Sequence, residues 1–312
     1  MQAAAAIANP LAGRVISRWL DGDPDQSYLL YIPHNAGVGA PVFVTVHGLA
    51  RHAQEQALSF APLAERYGMV LVAPLFPRHR FADYQCLGYM GKGERADLAL
   101  DRIMAEVGFL TGAKTDKIYL FGYSGGGEFA HRYALAYPQR VVRLAAAAAA
   151  WYTFPDPSVK FPFGLKAVPY PPPIPYNPQH FLSVPACVMV GETDVDRSVT
   201  PGRSRRLERQ QGADRLERGR NWIQAMAAAA QKHHLNTPFH FQVLPACGHS
   251  FRQCMDQGGM GRLIFDFLLG PIEFLKEIYS GQCRWRLNTE RQTGPRPLVI
   301  PRRPSSGTLT SS

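Results

Sequence analysis

Short apolar runs alternating with longer amphipathic ones constrain this chain more than any other feature. "SYLLYIP" (27–33), "PVFVTVHG" (41–48), "MVLVAPLF" (69–76), "KIYLFG" (117–122), "VVRLAAAAA" (141–149), "ACVMVG" (186–191) and "FHFQVLP" (239–245) are short and almost continuously apolar. Such runs suit strands buried on both faces, since a half-exposed strand would alternate apolar with polar residues. Residues 53–67, 92–110, 125–137, 219–235 and 259–269 instead show helical spacing among good helix formers. The alternation predicts an α/β fold, with an open, mostly parallel sheet and helices on both faces. The first strands come before the helices begin to alternate and are expected as an antiparallel edge.

Two stretches break the pattern. Residues 151–181 hold nine prolines and eight aromatics. Proline at that density forbids both helix and central strand, so an irregular surface excursion is expected. From about Cys283 the chain turns polar and rich in Arg, Pro and Ser. One domain over 1–283 is therefore expected, followed by a basic, disordered tail over 284–312.

The formal charge of +10 raises nucleic-acid binding until it is mapped. Residues 197–220 hold eight Arg against three acids and residues 284–312 six Arg against one, which accounts for the whole excess. A solvated helix face and a tail explain charge so localised, and no nucleic-acid partner is expected. No apolar run approaches the roughly 18–20 residues of a membrane span, so no membrane partner is expected. The start has no Lys or Arg before Arg14, and the five cysteines form no CxxC. Reduced thiols in a cytoplasmic protein are the expectation, with no metal or cofactor. Oligomeric state is not legible.

Chemistry concentrates at "LFGYSGGGEF" (120–129), where a strand runs into a helix. A P-loop would need G-x-x-x-x-G-K-[ST], and no Lys stands near; a dinucleotide loop would follow the first strand of its sheet. Gly122-Tyr123-Ser124-Gly125-Gly126 fits G-x-S-x-G, a sharp turn that lifts a serine hydroxyl clear of the sheet. Small residues two before and two after Ser124 avoid collision. The Gly125 amide is then aimed at a forming oxyanion from the positive end of a helix.

A serine of this kind needs a base and an orienting acid, expected downstream in the order acid, then His. "GETDVD" (191–196) ends a strand with three acidic residues. Asp194, in a short turn after Gly191, is the expected acid, with Asp196 the alternative. "CGHSF" (247–251) follows the last strand, and His249 is the expected base. In "HGLARHA" (47–53), the Leu49 amide is the second candidate oxyanion donor, with Ala50 behind it. His47 is expected to brace that loop. Arg51 is a candidate for a substrate carboxylate or a second brace, and Tyr123 for substrate contact. Trp151, Tyr152, Phe154, Phe161 and Phe163 either wall an acyl or aryl pocket or pack the excursion onto the body.

Together "HGLAR", "GYSGG", "GETD" and "GHS" resemble the α/β-hydrolase superfamily over residues 27–270. "TDKIYLFGYSGGGEFAHRYALAYPQRV" with "HGLARHA" is similar to its polyhydroxybutyrate-depolymerase and feruloyl-esterase-like branch. The resemblance implies a serine esterase working through an acyl-enzyme on Ser124, His249 and Asp194. Secreted depolymerases carry signal peptides, disulfides and often a polymer-binding domain, none of which is legible here. A small soluble ester is therefore the expected substrate. The alternatives are a peptidase or amidase on the same triad, a non-catalytic binding protein of the same fold, and a regulatory protein using its Arg-rich segments.

Overall fold

The computed structural model describes residues 10–166, 177–195 and 205–270, apart from the side chains of Arg205 and Arg206. Asp196, the tail over 284–312 and residues 167–176 of the Pro-rich excursion lie outside the described residues. Eight strands form one sheet: β1 (Val15–Leu20), β2 (Asp23–Tyr31), β3 (Pro41–Val46), β4 (Val70–Pro74), β5 (Lys114–Tyr123), β6 (Val141–Ala147), β7 (Ala186–Gly191) and β8 (Phe239–Leu244). Their order is β1-β2-β4-β3-β5-β6-β7-β8. β1 and β2 pair antiparallel, β2 meets β4 antiparallel, and every pairing from β4 to β8 is parallel. The expected antiparallel edge is present.

The helices are α1 (Ala53–Tyr67), α2 (Ala96–Thr111), α3 (Gly125–Ala136), α4 (Pro178–Phe181), α5 (Arg205–Gln211), α6 (Arg215–Lys232), α7 (Phe251–Asp256) and α8 (Met260–Leu269). Strand alternation sorts the core into two layers. Along β3, Val42, Val44 and Val46 face one side with Ile103 of α2, Phe129 of α3 and Trp222 of α6. Phe43 faces the other, where it meets Phe60 of α1 at 5.1 Å and Phe265 of α8 at 4.9 Å between ring centres. β3, β4 and β7 are buried almost throughout, as their unbroken hydrophobicity requires.

Several elements differ from expectation. α4 forms inside the Pro-rich 151–181, where no helix is expected, with Pro178 in a first turn that needs no amide donor. α5 and α7 fall outside the expected helices, and α2 begins at Ala96 rather than 92. β1 was not anticipated because "VISRWL" mixes polar with apolar residues, as an edge strand with a solvated face does. α6 begins at Arg215 rather than 219, because Asp214 caps it by accepting from the Glu217 amide. That first turn contains Arg215 and Arg218, both buried. The Arg-rich segment is thus not only a solvated face: Arg209 and Arg220 face water, while Arg215 and Arg218 point inward.

Candidate active site

Ser124 stands between β5 and α3 with φ 54° and ψ −119°, a backbone region that side-chain-bearing residues avoid at a cost of about 1–3 kcal/mol. The surrounding glycines allow the turn. A β-carbon at Gly122 would lie 2.0 Å from the Gly126 carbonyl oxygen, and one at Gly126 would lie 2.0 Å from that of Val46. The Ser124 amide is anchored to the Ala147 carbonyl at 2.7 Å, tying the turn to β6.

The Ser124 hydroxyl lies 3.1 Å from His249 Nε2, and His249 Nδ1 lies 2.8 Å from Asp194 Oδ2. A carboxylate only accepts, so Nδ1 carries the proton and Nε2 is free to receive one. The Tyr123 ring packs on the imidazole at 5.5 Å. The acid is fully buried, the imidazole a third exposed.

The loops bearing Asp194 and His249 are laced together. The amides of Glu192 and Thr193 donate to the carbonyls of Leu244 and Cys247, both at 2.9 Å. The Glu192 carboxylate accepts from the Ala246 amide at 2.9 Å. Gln253 accepts from the Gly248 amide and donates to the Ala246 carbonyl, each at 3.0 Å. Ser250, next to His249, caps α7 through the Gln253 amide. Gly191 approaches so closely that a β-carbon there would lie 2.3 Å from the Cys247 carbonyl oxygen.

The loop after β3 abuts the serine: a β-carbon at Gly48 would lie 3.3 Å from Ser124 Cβ. The amides of Leu49 and Gly125 have no protein acceptor among the described residues. His47 is fully buried; Nδ1–H donates to the Gly48 carbonyl at 2.8 Å while Nε2 accepts from the Phe76 amide at 3.0 Å. Burial pulls its pKa down to about 4, so it is neutral and bonded at both nitrogens. Tyr84 donates to the His47 carbonyl at 2.8 Å, wedged beneath Gly125.

Several candidates for substrate contact lie elsewhere. Arg51 donates to the carbonyls of Leu49 at 2.7 Å and Phe81 at 3.3 Å and lies over the Tyr84 ring, so it braces the loop. Tyr152 is fully buried, stacked on Trp222 at 5.1 Å, and presents no surface to a substrate. Phe154 is also buried, while half-buried Trp151 packs against Phe163 and Arg132. The described part of the excursion is packed onto the body. Leu49 keeps about half its surface exposed beside the serine.

The residues that sequence reasoning missed are polar and buried. Arg215 Nη1 donates to Asp194 Oδ1 at 2.9 Å. Arg218 donates to the Ala150 carbonyl at 2.8 Å, holding the segment that follows β6. Glu128 is buried one turn beyond Ser124, and burial raises its carboxyl to about 7 against the opposing pull of Arg132. Only their spacing on buried helix faces could have signalled them. Among the described residues no three His, Cys, Asp or Glu converge as metal ligands would, and no helix is long and apolar enough to cross a membrane.

Compared with known proteins, the sequence matches no family profile and no curated protein. Its structure is similar to poly(aspartic acid) hydrolase-1 from Sphingomonas sp. KT-1, with a TM-score of 0.66 and 22% identity over 78% of this chain and 94% of that one. It is similar to a poly(3-hydroxybutyrate) depolymerase from Bordetella parapertussis, with a TM-score of 0.64 and 23% identity over 84% and 92%. An S-formylglutathione hydrolase from Agrobacterium tumefaciens matches at a TM-score of 0.51 and 15% identity over 81% and 94%. With its sheet order, strand-to-helix turn and these likenesses, the chain has the α/β-hydrolase fold.

Proposed function

We propose that the chain is a serine hydrolase that cleaves a carboxylic ester of a small soluble substrate through an acyl-enzyme. The observation that supports it most is the unbroken chain from Ser124 through His249 to Asp194, mounted on a strained turn. In this reading His249 Nε2 takes the hydroxyl proton as Ser124 Oγ attacks the ester carbonyl. The buried Asp194 carboxylate holds the imidazole and balances its charge. The amides of Gly125 and Leu49 donate to the developing oxyanion; fixed donors of this kind need no reorganisation as charge forms. The proton on Nε2 then goes to the leaving alcohol. Water, deprotonated by the same nitrogen, releases the acid and regenerates Ser124.

The exposed Leu49 side chain beside the oxyanion suits an apolar part of the substrate. One of the structurally similar proteins is named for poly(aspartic acid), a polyamide, so an amidase on the same triad is the second reading. Labelling with a serine-directed fluorophosphonate tests the chemistry, and Ser124→Ala is expected to abolish it in folded protein. Parallel assays of p-nitrophenyl esters and peptide anilides then separate esterase from amidase. Full ester turnover by Ser124→Ala would overturn both readings.

A further inference from the structure

Asp194 is held from two sides. Oδ2 receives the His249 Nδ1–H at 2.8 Å, and Oδ1 receives Arg215 Nη1–H at 2.9 Å. The Arg215 side chain is only 4% exposed and that of Asp194 not at all. Burying a guanidinium costs several kcal/mol unless its partners repay it. Yet Arg215 Nε has no acceptor among the described residues, and the only hydrogen bond the guanidinium makes there is to Asp194. A purely structural arginine is expected to resemble its neighbour Arg218, which reaches the carbonyls of Gly212, Ala213 and Ala150.

We propose that Arg215 is a positioning residue for the triad: it locks Asp194 into the orientation that receives His249. The proposal rests on the hydrolase reading above. A fixed cation on the far side of the carboxylate disfavours a second positive charge on the imidazole. Removing that cation should therefore show in the acid limb of the pH profile of activity. The rotamer lock acts separately, on the rate once the base is free.

Other groups face this ensemble and enter the expected profile. Tyr123 and Tyr152 are pushed well above the ordinary phenol range by burial, and Cys254 to about 12, so none of them changes charge near neutrality. Arg132, Arg218 and the capping Asp214 surround Glu128 and Arg215, and Cys247 adjoins Cys254. Glu192, on the acid loop, is bound to the Ala246 amide. Glu128 alone among these is raised to about 7, so Glu128→Gln serves as the control that removes its titration.

The experiment is the pH profile of fluorophosphonate labelling and of kcat/KM on a p-nitrophenyl ester, for wild type, Arg215→Lys, Arg215→Gln and Arg215→Met. Circular dichroism checks folding. The neutral variants should move the acid limb to higher pH by about one unit, the size expected of one nearby charge at partial screening. The plateau rate of Arg215→Met should fall at least about tenfold as the carboxylate loses its lock, and that of Arg215→Gln by less. Arg215→Lys keeps the charge, so its limb should stay within about 0.3 units of wild type while its plateau falls. If Arg215→Met does not fold, Arg215→Gln, which retains a donor for Oδ1, gives the same reading of the limb. A folded neutral variant whose limb does not move overturns the inference and leaves the hydrolase reading standing. A folded wild type that takes no label overturns the hydrolase reading and this inference with it.

Discussion

The α-carbon of Gly126 faces the Val46 carbonyl so closely that a β-carbon would sit 2.0 Å from its oxygen and 2.6 Å from that of His47. Both obstacles are main chain, belonging to β3 and the loop after it, and neither can swing aside. Gly126→Ala must therefore push α3 off the sheet. We expect a loss of about 3 kcal/mol in stability, at the upper end for overpacking, and labelling of Ser124 slowed at least about a hundredfold. Gly127 makes the contrast: a β-carbon there would meet its neighbours at 3.2–3.3 Å, at normal helical φ. Gly127→Ala should stay within about 1 kcal/mol, since its helix propensity offsets the crowding. Urea unfolding of the two variants checks this, and equal losses would refute the steric account.

Ser124 holds a backbone conformation suited to glycine, φ 54° and ψ −119°. Ser124→Gly should relieve about 1–3 kcal/mol of strain and give back about 0.5–1 kcal/mol through the freedom glycine gains when unfolded. The net expectation is a gain of about 1 kcal/mol, roughly 2 °C in Tm for a domain of this size, with all labelling lost. Calorimetry decides it; a Tm lower than wild type would mean the turn is not strained.

The sequence made the sheet legible because its central strands are buried on both faces and write themselves as unbroken apolar runs. β1 escaped for the opposite reason, since its solvated edge dilutes the signal. The strand-to-helix turn was legible through Gly122 and Gly126, where steric contact leaves no room for a side chain, with Ser124 between them. The shell around it was not. Arg215, Arg218 and Glu128 are charged residues on helices, and composition alone assigns such residues to solvent. Tyr152 misled in the other direction: an aromatic in an irregular segment suggests a pocket wall, yet its ring is stacked within the core on Trp222. In both cases burial was decided by long-range packing that no local pattern records.

The buried Asp194 bridges His249 and Arg215, so its replacement should act on rate and stability together. Asp194→Asn is expected to cut kcat by roughly 10³–10⁴, as an amide in that place favours the wrong imidazole tautomer. It should also cost about 3 kcal/mol, because Arg215 is left buried without its counter-charge. Asp196→Asn should keep kcat within about threefold of wild type. Steady-state kinetics on the two variants check the assignment, which fails if Asp196→Asn proves the more damaging.

Buried titratable groups make stability depend on pH in opposing senses. His47 ionises at about 4 when folded and about 6.5 when unfolded. Its depressed folded value means that the stability it contributes is present above pH 6.5 and lost as pH falls through about 4, some 3 kcal/mol in all. His131, buried and lowered for the same reason, acts in the same direction. Glu128 does the reverse. Its folded value of about 7 lies above its ordinary 4.5, so its contribution is present below pH 4.5 and lost as pH rises through about 7. The carboxyl thus partly offsets the acid sensitivity of the two histidines. Glu128→Gln removes only that offset, so between pH 8 and 4.5 the variant should lose about 3 kcal/mol more than wild type. Urea unfolding at pH 8, 6 and 4.5 measures the difference directly, because Tyr84, Cys86 and Tyr152, which feel the Glu128 charge, are all raised by burial well above this range. Parallel profiles would mean that Glu128 is ionised across this range, held so by Arg132 at 3.5 Å.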